Sequence, residues 1–369
     1  MKEKILIVGA GITGLTLARL IAEKDKNVTV VEKRSHIGGN CYDYFDNNGN
    51  YVKPYGPHIF HTKHEEVYNF LSKFTAWKTY KHKVYVEIND KLFVIPFNIV
   101  GIKNQFNSTD AKRIIVRLEH FYKKNENISI LDLKKKKEDY YLNMLSTFIY
   151  ENIFKNYTIK QWDIKPEDIS KEVINRVPFY NGRNNYYFKD DTHQGMPKYG
   201  YTNMFNNIIN HENISITLNK DYRDIDVSVY DKVFITSPID EYFYYKYGKL
   251  QYRRIFVKLQ TYMNRDSFQS NSVINYPNKH NFTRISEFNK FLKINNDSTV
   301  VGFEYPSWDK GYMAYPVLTE ENLEKVNKYF KDSKKEKNVF FVGRLAEYKY
   351  YNMDQACKRA IDLVGELYG

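Results

Sequence analysis

The 369 residues predict an α/β fold with a parallel sheet split between the two ends of the chain, a helical insertion and an antiparallel sheet. Three observations carry this. A short apolar run, Lys4-Ile5-Leu6-Ile7-Val8, leads through a glycine-rich turn into a run of helical period at 15–22 and then a second buried-type strand at 28–32. Apolar residues recur three and four apart at Ile114, Ile115, Leu118 and Phe121, and again at Tyr141, Met144, Leu145 and Phe148, so 109–155 reads as helical. Strand-like runs at 254–259, 272–275 and 299–303 predict an antiparallel sheet.

Composition narrows the classes. With 42% apolar and 27% charged residues the chain is able to build a core, and its length suggests about two or three domains. No run of about 18 apolar residues occurs, so no membrane-spanning helix is expected. The first residues lack a signal-peptide pattern, and cytoplasm is the expected compartment. Two cysteines, Cys41 and Cys357, exclude a disulfide framework and argue against a cysteine zinc site. No metal is expected. The formal charge of +12 comes mostly from dispersed lysines, and the densest run, Lys134 to Lys137, is followed at once by Glu138 and Asp139. That is a solvated helix face, and no nucleic-acid partner is expected. The 34 tyrosines suit a site that stacks rings on sugars or bases.

Gly9, Gly11 and Gly14 form a Gly-x-Gly-x-x-Gly turn between strand and helix, and Glu32 ends the second strand. The first glycine allows the tight turn, the second a close approach to a pyrophosphate, and the third lets helix and strand pack. The helix N-terminus offers N–H groups and a positive dipole end to that anion. Glu32 is placed for ribose hydroxyls. Together these predict a Rossmann-like dinucleotide-binding domain. A strand at 338–342, the turn Gly343-Arg344 and a helix at 353–368 return to α/β, so this domain is discontinuous, at 1–65, 200–240 and 335–369. A helical domain is expected at 100–165. An antiparallel substrate domain is expected at 66–99, 166–199 and 241–334.

Beyond Glu32, the pair Gly38-Gly39 resembles the FAD-binding oxidoreductase and amine-oxidase superfamily, as does Gly343-Arg344, which favours FAD over NAD. Longer motifs narrow the resemblance. Tyr55-Gly56-Pro57-His58-Ile59-Phe60-His61-Thr62, Tyr157-Thr158-Ile159-Lys160-Gln161-Trp162 and Asn175-Arg176-Val177-Pro178 are similar to motifs of the UDP-galactopyranose mutase family. So are Asn184-Asn185-Tyr186-Tyr187-Phe188, Gln194-Gly195-Met196-Pro197, Ser237-Pro238-Ile239-Asp240 and Thr283-Arg284-Ile285. Tyr315-Pro316-Val317 and the run from Gly343 to Tyr351 complete the set. The resemblance follows chain order over nearly the whole length and is weakest between 100 and 150.

The resemblance implies an FAD-dependent isomerase that interconverts UDP-galactopyranose and UDP-galactofuranose and so supplies furanose for surface polysaccharide. It implies reduced flavin N5 as nucleophile at the anomeric carbon, NAD(P)H or a reductase as electron source, and a homodimer. Arg176 and Arg284 match two diphosphate arginines. Charge grows on the departing diphosphate, and forked guanidinium donors meet it. The segment 163–171 corresponds to a lid that holds UDP near the sugar. Tyr157 matches the residue stacked on uracil, with Phe154 nearby and Trp162 in the same signature. Tyr187, Tyr315 and Tyr350 match residues of the phosphate and sugar pocket, and Arg253, Asn271 and His58 join the substrate side. His61 shapes the flavin surroundings and is placed with Arg176 and Arg284 among the catalytic residues. Cofactor contacts are implied for Gly9, Gly11, Gly14, Glu32, Lys33, Gly39, Asn40, His58, Ile59, Arg344, Tyr350, Asn352 and Met353.

Three positions depart from the pattern. Asn352 stands where many relatives have Asp, Tyr244 stands where Asp is frequent, and one extra residue lies between the Tyr186-Tyr187 pair and Gln194. The alternatives are a sibling mutase on UDP-N-acetylgalactosamine or dTDP-fucose and, from a different class, an FAD-dependent amine oxidase. An amine substrate needs no diphosphate clamp, which argues against the oxidase.

Overall fold

The computed structural model describes residues 2–166, 174 and 177–369. Its chain divides into two compact units. Unit 1 is Met1–Tyr80, Asp191–Arg254 and Trp308–Gly369, and unit 2 is Lys81–Asp190 and Ile255–Ser307.

Unit 1 is organised on a parallel sheet with the strand order Ile214–Thr217, Asn27–Val31, Lys4–Val8, Lys232–Ile235, Val339–Phe341. Lys4–Val8 is central, and Ile5, Leu6 and Ile7 are fully buried. A strand covered on both faces has no side to expose, which is why this one reads as a continuous apolar run. Helix Ile12–Ala22 lays Leu15, Leu17, Ala18 and Ile21 into the core and packs on helices Tyr201–Ile209 and Met353–Tyr368. In the seam with the last helix the Thr16 hydroxyl meets the Cys357 thiol at 3.5 Å. Strands from residues 4, 27, 214, 232 and 339 thus make one sheet, as the split α/β pattern predicts.

Unit 1 also contains an antiparallel sheet in the order Phe60–Thr62, His193–Pro197, Trp77–Thr79. Its register sets Gln194 opposite His61. Beneath lies a buried charged cluster. The Asp43 carboxylate accepts from the Tyr51 hydroxyl at 2.5 Å and from the Tyr201 and Thr202 amides at 2.7 and 2.9 Å, and Lys53 Nζ lies 3.5 Å away. Buried charge survives only when paired in this way. A second apolar cluster joins Ile239, Leu250, Tyr252, Val326, Tyr329 and Tyr348.

Unit 2 starts its helices with side-chain caps. Asn98, Asn107 and Asp139 accept from main-chain amides at the starts of Ile99–Gln105, Ser108–Phe121 and Tyr140–Ile149. The last of these continues through a π-turn, Tyr150–Phe154, into Lys155–Trp162. The sheet of this unit runs Tyr252–Met263 (its first three residues counted in unit 1), Ser298–Ser307, Arg284–Glu287, Val273–Asn275, Val84–Ile88, Lys91–Ile95.

Two expectations change. The sheet is not purely antiparallel, since Val273–Asn275 pairs parallel with Val84–Ile88. Those strands are separated by the whole helical insertion, so no hairpin turn dictates their direction. The chain also forms two units where the sequence suggested three parts. Helices and sheet share one core in unit 2, where the Phe148 ring lies 6.1 and 5.5 Å from those of Phe93 and Phe97. Residues 66–80, 191–199, 241–254 and 308–334 belong to unit 1. Among the described residues no helix is long and apolar enough to cross a membrane.

Candidate active site

The glycine turn of unit 1 leaves no room for a side chain at Gly9, at φ +104°, or at Gly14. A Cβ on Gly14 would sit 2.0 Å from the Gly9 carbonyl oxygen. Gly39 has φ +55°, and a Cβ there would come 3.0 Å from the Gly11 Cα. The 38–40 loop therefore lies directly against the glycine turn, tied by the Gly38 amide to the Ala10 carbonyl at 2.7 Å. Glu32 is buried, and its carboxylate accepts from the Ala10 and Arg34 amides, each at 2.9 Å.

Arg34 completes this corner. Its Nη2 donates to the Asn40 side chain at 3.0 Å, and its guanidinium lies 4.8 Å from the Tyr55 ring centroid. Its Nη1 is buried with no hydrogen-bond partner among the described residues. A buried cationic donor of that kind calls for an acceptor. Asn40 also donates to the Met313 carbonyl at 3.1 Å. Lys33 is exposed, 3.8 Å from Glu241. The cradle free of Cβ atoms, the helix N-terminus, the buried acid and the orphaned guanidinium nitrogen fit a dinucleotide.

The far end of unit 1 gathers three of the expected residues. The rings of Tyr315 and Tyr350 stack at 5.0 Å and 6°, and Arg344 lies 5.8 and 5.3 Å from their centroids. Arg344 Nε donates to the Tyr351 carbonyl and Nη1 to the Ala314 carbonyl, each at 2.8 Å, so the cation is fixed in place. Asn352 caps helix Met353–Tyr368 in a capping box with Gln355. Met353 is the first helical residue. Tyr244 is largely exposed with φ +50°.

In the 55–62 loop, His58 Nδ1 lies 3.1 Å from the Gly56 carbonyl, and Ile59 is buried. His61 Nδ1 lies 2.5 Å from the Asp191 carboxylate. A carboxylate on Nδ1 favours the tautomer with the proton on that nitrogen and fixes the ring plane. Arg253 is buried with its guanidinium 4.7 Å from the Trp308 ring centroid.

In unit 2, Phe154, Tyr157 and Trp162 share one helical run, with Phe154 and Trp162 buried and Tyr157 half-buried. Asp163, at φ +56°, ends the helix. Arg284 faces Glu304 across the antiparallel pair, Nε to Oε1 at 2.7 Å. Glu304 is 1% exposed. Burial pushes its carboxyl above the usual range, while Arg284 and the Ser286 hydroxyl pull it back. Tyr187 is half-buried against His82, while Tyr186 lies beneath Lys81 and Lys83. Asn271 donates to the Ser270 hydroxyl at 3.0 Å. Asn175 and Arg176 lie outside the described residues, as do 167–171 of the expected lid. Among the described residues no group of three or more His, Cys, Asp or Glu is arranged for a metal ion.

Comparison with known proteins shows the family and the fold. A family model described as UDP-galactopyranose mutase matches residues 152–350, and one described as an NAD(P)-binding Rossmann-like domain matches 7–74. A probable UDP-galactopyranose mutase of Klebsiella pneumoniae is 33% identical over 99% of this chain and 94% of that protein. The chain belongs to the UDP-galactopyranose mutase family. Its members of that name are isomerases. A dTDP-fucopyranose mutase of Escherichia coli is 34% identical, over 98% of this chain and 97% of that one. The crystal structure of a reduced UDP-galactopyranose mutase shares the fold, with a TM-score of 0.71 at 16% identity, over 100% of this chain and 94% of that one.

Three residues that the structure places beside the expected ones escaped sequence reading. Arg34 carried a usable signal, a basic residue two positions past the ribose acid. Asp191 and Glu304 carried none, because only tertiary pairing brings them to His61 and Arg284, Glu304 by strand register and Asp191 from just before its strand.

Proposed function

We propose that this chain interconverts UDP-galactopyranose and UDP-galactofuranose with reduced FAD. The observation that carries this is Arg284 held against a buried acid, in a chain alike over its full length to a UDP-galactopyranose mutase. Bound and reduced, the flavin supplies a nucleophilic N5 for the anomeric carbon. The chain's own residues do the rest.

Gly9, Gly11, Gly14 and Gly39 admit the cofactor backbone, Glu32 takes ribose hydroxyls, and Arg34 meets a cofactor oxygen with its buried Nη1. Lys33, Asn40, His58, Ile59, Asn352 and Met353 line the remainder. Arg344, fixed by two carbonyls, places a positive charge near the flavin ring, and His61, oriented by Asp191, shapes its surroundings. Arg284 and Arg176 hold the diphosphate as its bond to the sugar breaks and while it waits to return. The reaction is a net isomerisation. The Glu304 ion pair sets the Arg284 fork before substrate arrives, which avoids reorganisation during the step. Tyr157 stacks on the base with Phe154 and Trp162 behind it, and Tyr187, Tyr315, Tyr350, Arg253 and Asn271 complete the substrate side. A homodimer in the cytoplasm, serving polysaccharide synthesis and reduced by NAD(P)H or a reductase, completes the proposal.

The relative that acts on dTDP-fucopyranose, equally alike in length and identity, supports a second reading with that sugar. The purified chain is incubated with UDP-galactofuranose or dTDP-fucofuranose, with and without dithionite. Pyranose forming from UDP-galactofuranose only under reduction is the expected result. Conversion of the dTDP sugar alone establishes the second reading, and conversion of neither removes both.

A further inference from the structure

Lys160 lies on the helix of Tyr157 and Trp162 and has no part in the function above. Its ammonium donates to three carbonyls of a single turn: Tyr276 at 2.6 Å, Lys279 at 3.1 Å and Phe282 at 3.3 Å. That turn joins strand Val273–Asn275 to strand Arg284–Glu287 and is closed by the Tyr276 amide on the Thr283 carbonyl at 2.8 Å. Arg284 is the next residue.

Two further bonds run beside the ammonium. Asn156 donates to the Asn278 side chain, and Asn278 donates to the Asn152 carbonyl, each at 2.9 Å. The turn also stiffens itself, with the Phe282 ring 5.3 Å from Tyr276 and 4.7 Å from His280. It therefore transmits the position of its anchor to its ends.

The chemistry is not that of a solvated lysine. A surface ammonium is held mainly by water, whereas this one donates to three carbonyl dipoles of one turn. Burial pulls its pKa down from the ordinary lysine value. Three carbonyl oxygens aimed at one point repel one another unless a strong donor sits between them.

We propose that Lys160 is a positioning residue for the nucleotide diphosphate: it pins the 276–283 turn to the helix of Tyr157 and Trp162 and so fixes the spacing between the base platform and the Arg284 guanidinium. This rests on the roles given above to Tyr157 and Arg284.

The test is calorimetric titration of the FAD-loaded chain with UDP. Lys160→Met is expected to weaken UDP by about tenfold, with Lys160→Arg recovering part of the loss. Asn278→Ala is expected to weaken it by about threefold. Because Lys160 acts through Arg284, the losses of Lys160→Met and Arg284→Lys are expected to be non-additive by at least about fivefold in the double variant. A lysine with a merely structural role lowers the melting temperature but leaves the two losses additive. Additive losses, or UDP binding by Lys160→Met within about twofold of the parent, overturn the proposal. Should Lys160→Met fail to fold, Asn278→Ala decides, and parental UDP affinity in that variant overturns it. A parent chain that binds neither UDP nor dTDP refutes the substrate reading itself, and the proposal falls with it.

Discussion

The two units build their shares of the chemistry by different means. In unit 1 the dinucleotide corner is made of neighbours in sequence. The glycine turn, Glu32, Arg34 and the 38–40 loop all fall within the first forty residues and are joined by main-chain bonds such as Gly38 to Ala10. In unit 2 the charge proposed for the diphosphate is made of strangers. Arg284 and Glu304 lie on separate strands, and Lys160 reaches the turn before Arg284 from more than a hundred residues away. A site built from local turns tolerates little change in shape. A site built from strand register depends on ion pairs that aim a flexible side chain. Steric damage is therefore expected to dominate in unit 1 and electrostatic damage in unit 2.

The largest expected effect breaks the comparison at its steric end. Gly14→Val places a branched side chain where even a Cβ would lie 2.0 Å from the Gly9 oxygen. The purified variant is expected to carry no flavin absorbance. Retained flavin would show that the turn is not the cofactor cradle.

Next comes Arg284→Ala. Loss of a preorganised donor to a developing charge costs about 10²–10³ in rate. Turnover of the nucleotide sugar is expected to fall by about that factor while flavin absorbance stays at the parental level. Loss of flavin instead would move Arg284 to the cofactor side.

Glu304→Gln sharpens the same point. It keeps the shape but leaves Arg284 facing a neutral amide, at an expected cost of about 2 kcal/mol of stability, read by urea unfolding at neutral pH. Stability unchanged from the parent would mean that the ion pair does not orient the arginine.

The smallest effect lies on the surface of unit 1. The hydrogen bond from Arg223 lowers the Asp221 carboxyl from 3.8 to about 2. The unfolded chain therefore takes up this proton at higher pH than the folded one. The contribution is present above about pH 4 and is lost as pH falls towards 2. For this exposed pair it amounts to less than about 1 kcal/mol. Asp221→Asn is expected to lower stability by that small amount above about pH 4, read by urea unfolding, with variant and parent converging as pH falls towards 2.

Much of the molecule was legible before folding. The run 4–8 reads as a buried parallel strand because its continuous apolar character admits no exposed face. The glycine turn reads as a cradle from its three spaced glycines between strand and helix, two of which, Gly9 and Gly14, have no room for a side chain, and the helix at 353–368 reads from the sequence as well. The direction of the Val273–Asn275 pairing, the union of helices and sheet in unit 2 and the grouping of 308–334 with unit 1 were not legible. Each depends on which distant surfaces meet, and period and turn chemistry are silent about that.

The same division runs through the site. The sequence by itself determined the glycine turn and its buried acid, through residues that act within a few positions of one another. Only the tertiary structure decided that Asp191 orients His61, that Glu304 aims Arg284 and that Lys160 anchors the turn beside it. The physical reason is range. A turn, a cap or a helical stripe is fixed by backbone geometry over a few residues. An ion pair across a sheet exists only once register has been chosen, and register is the outcome of packing over the whole unit.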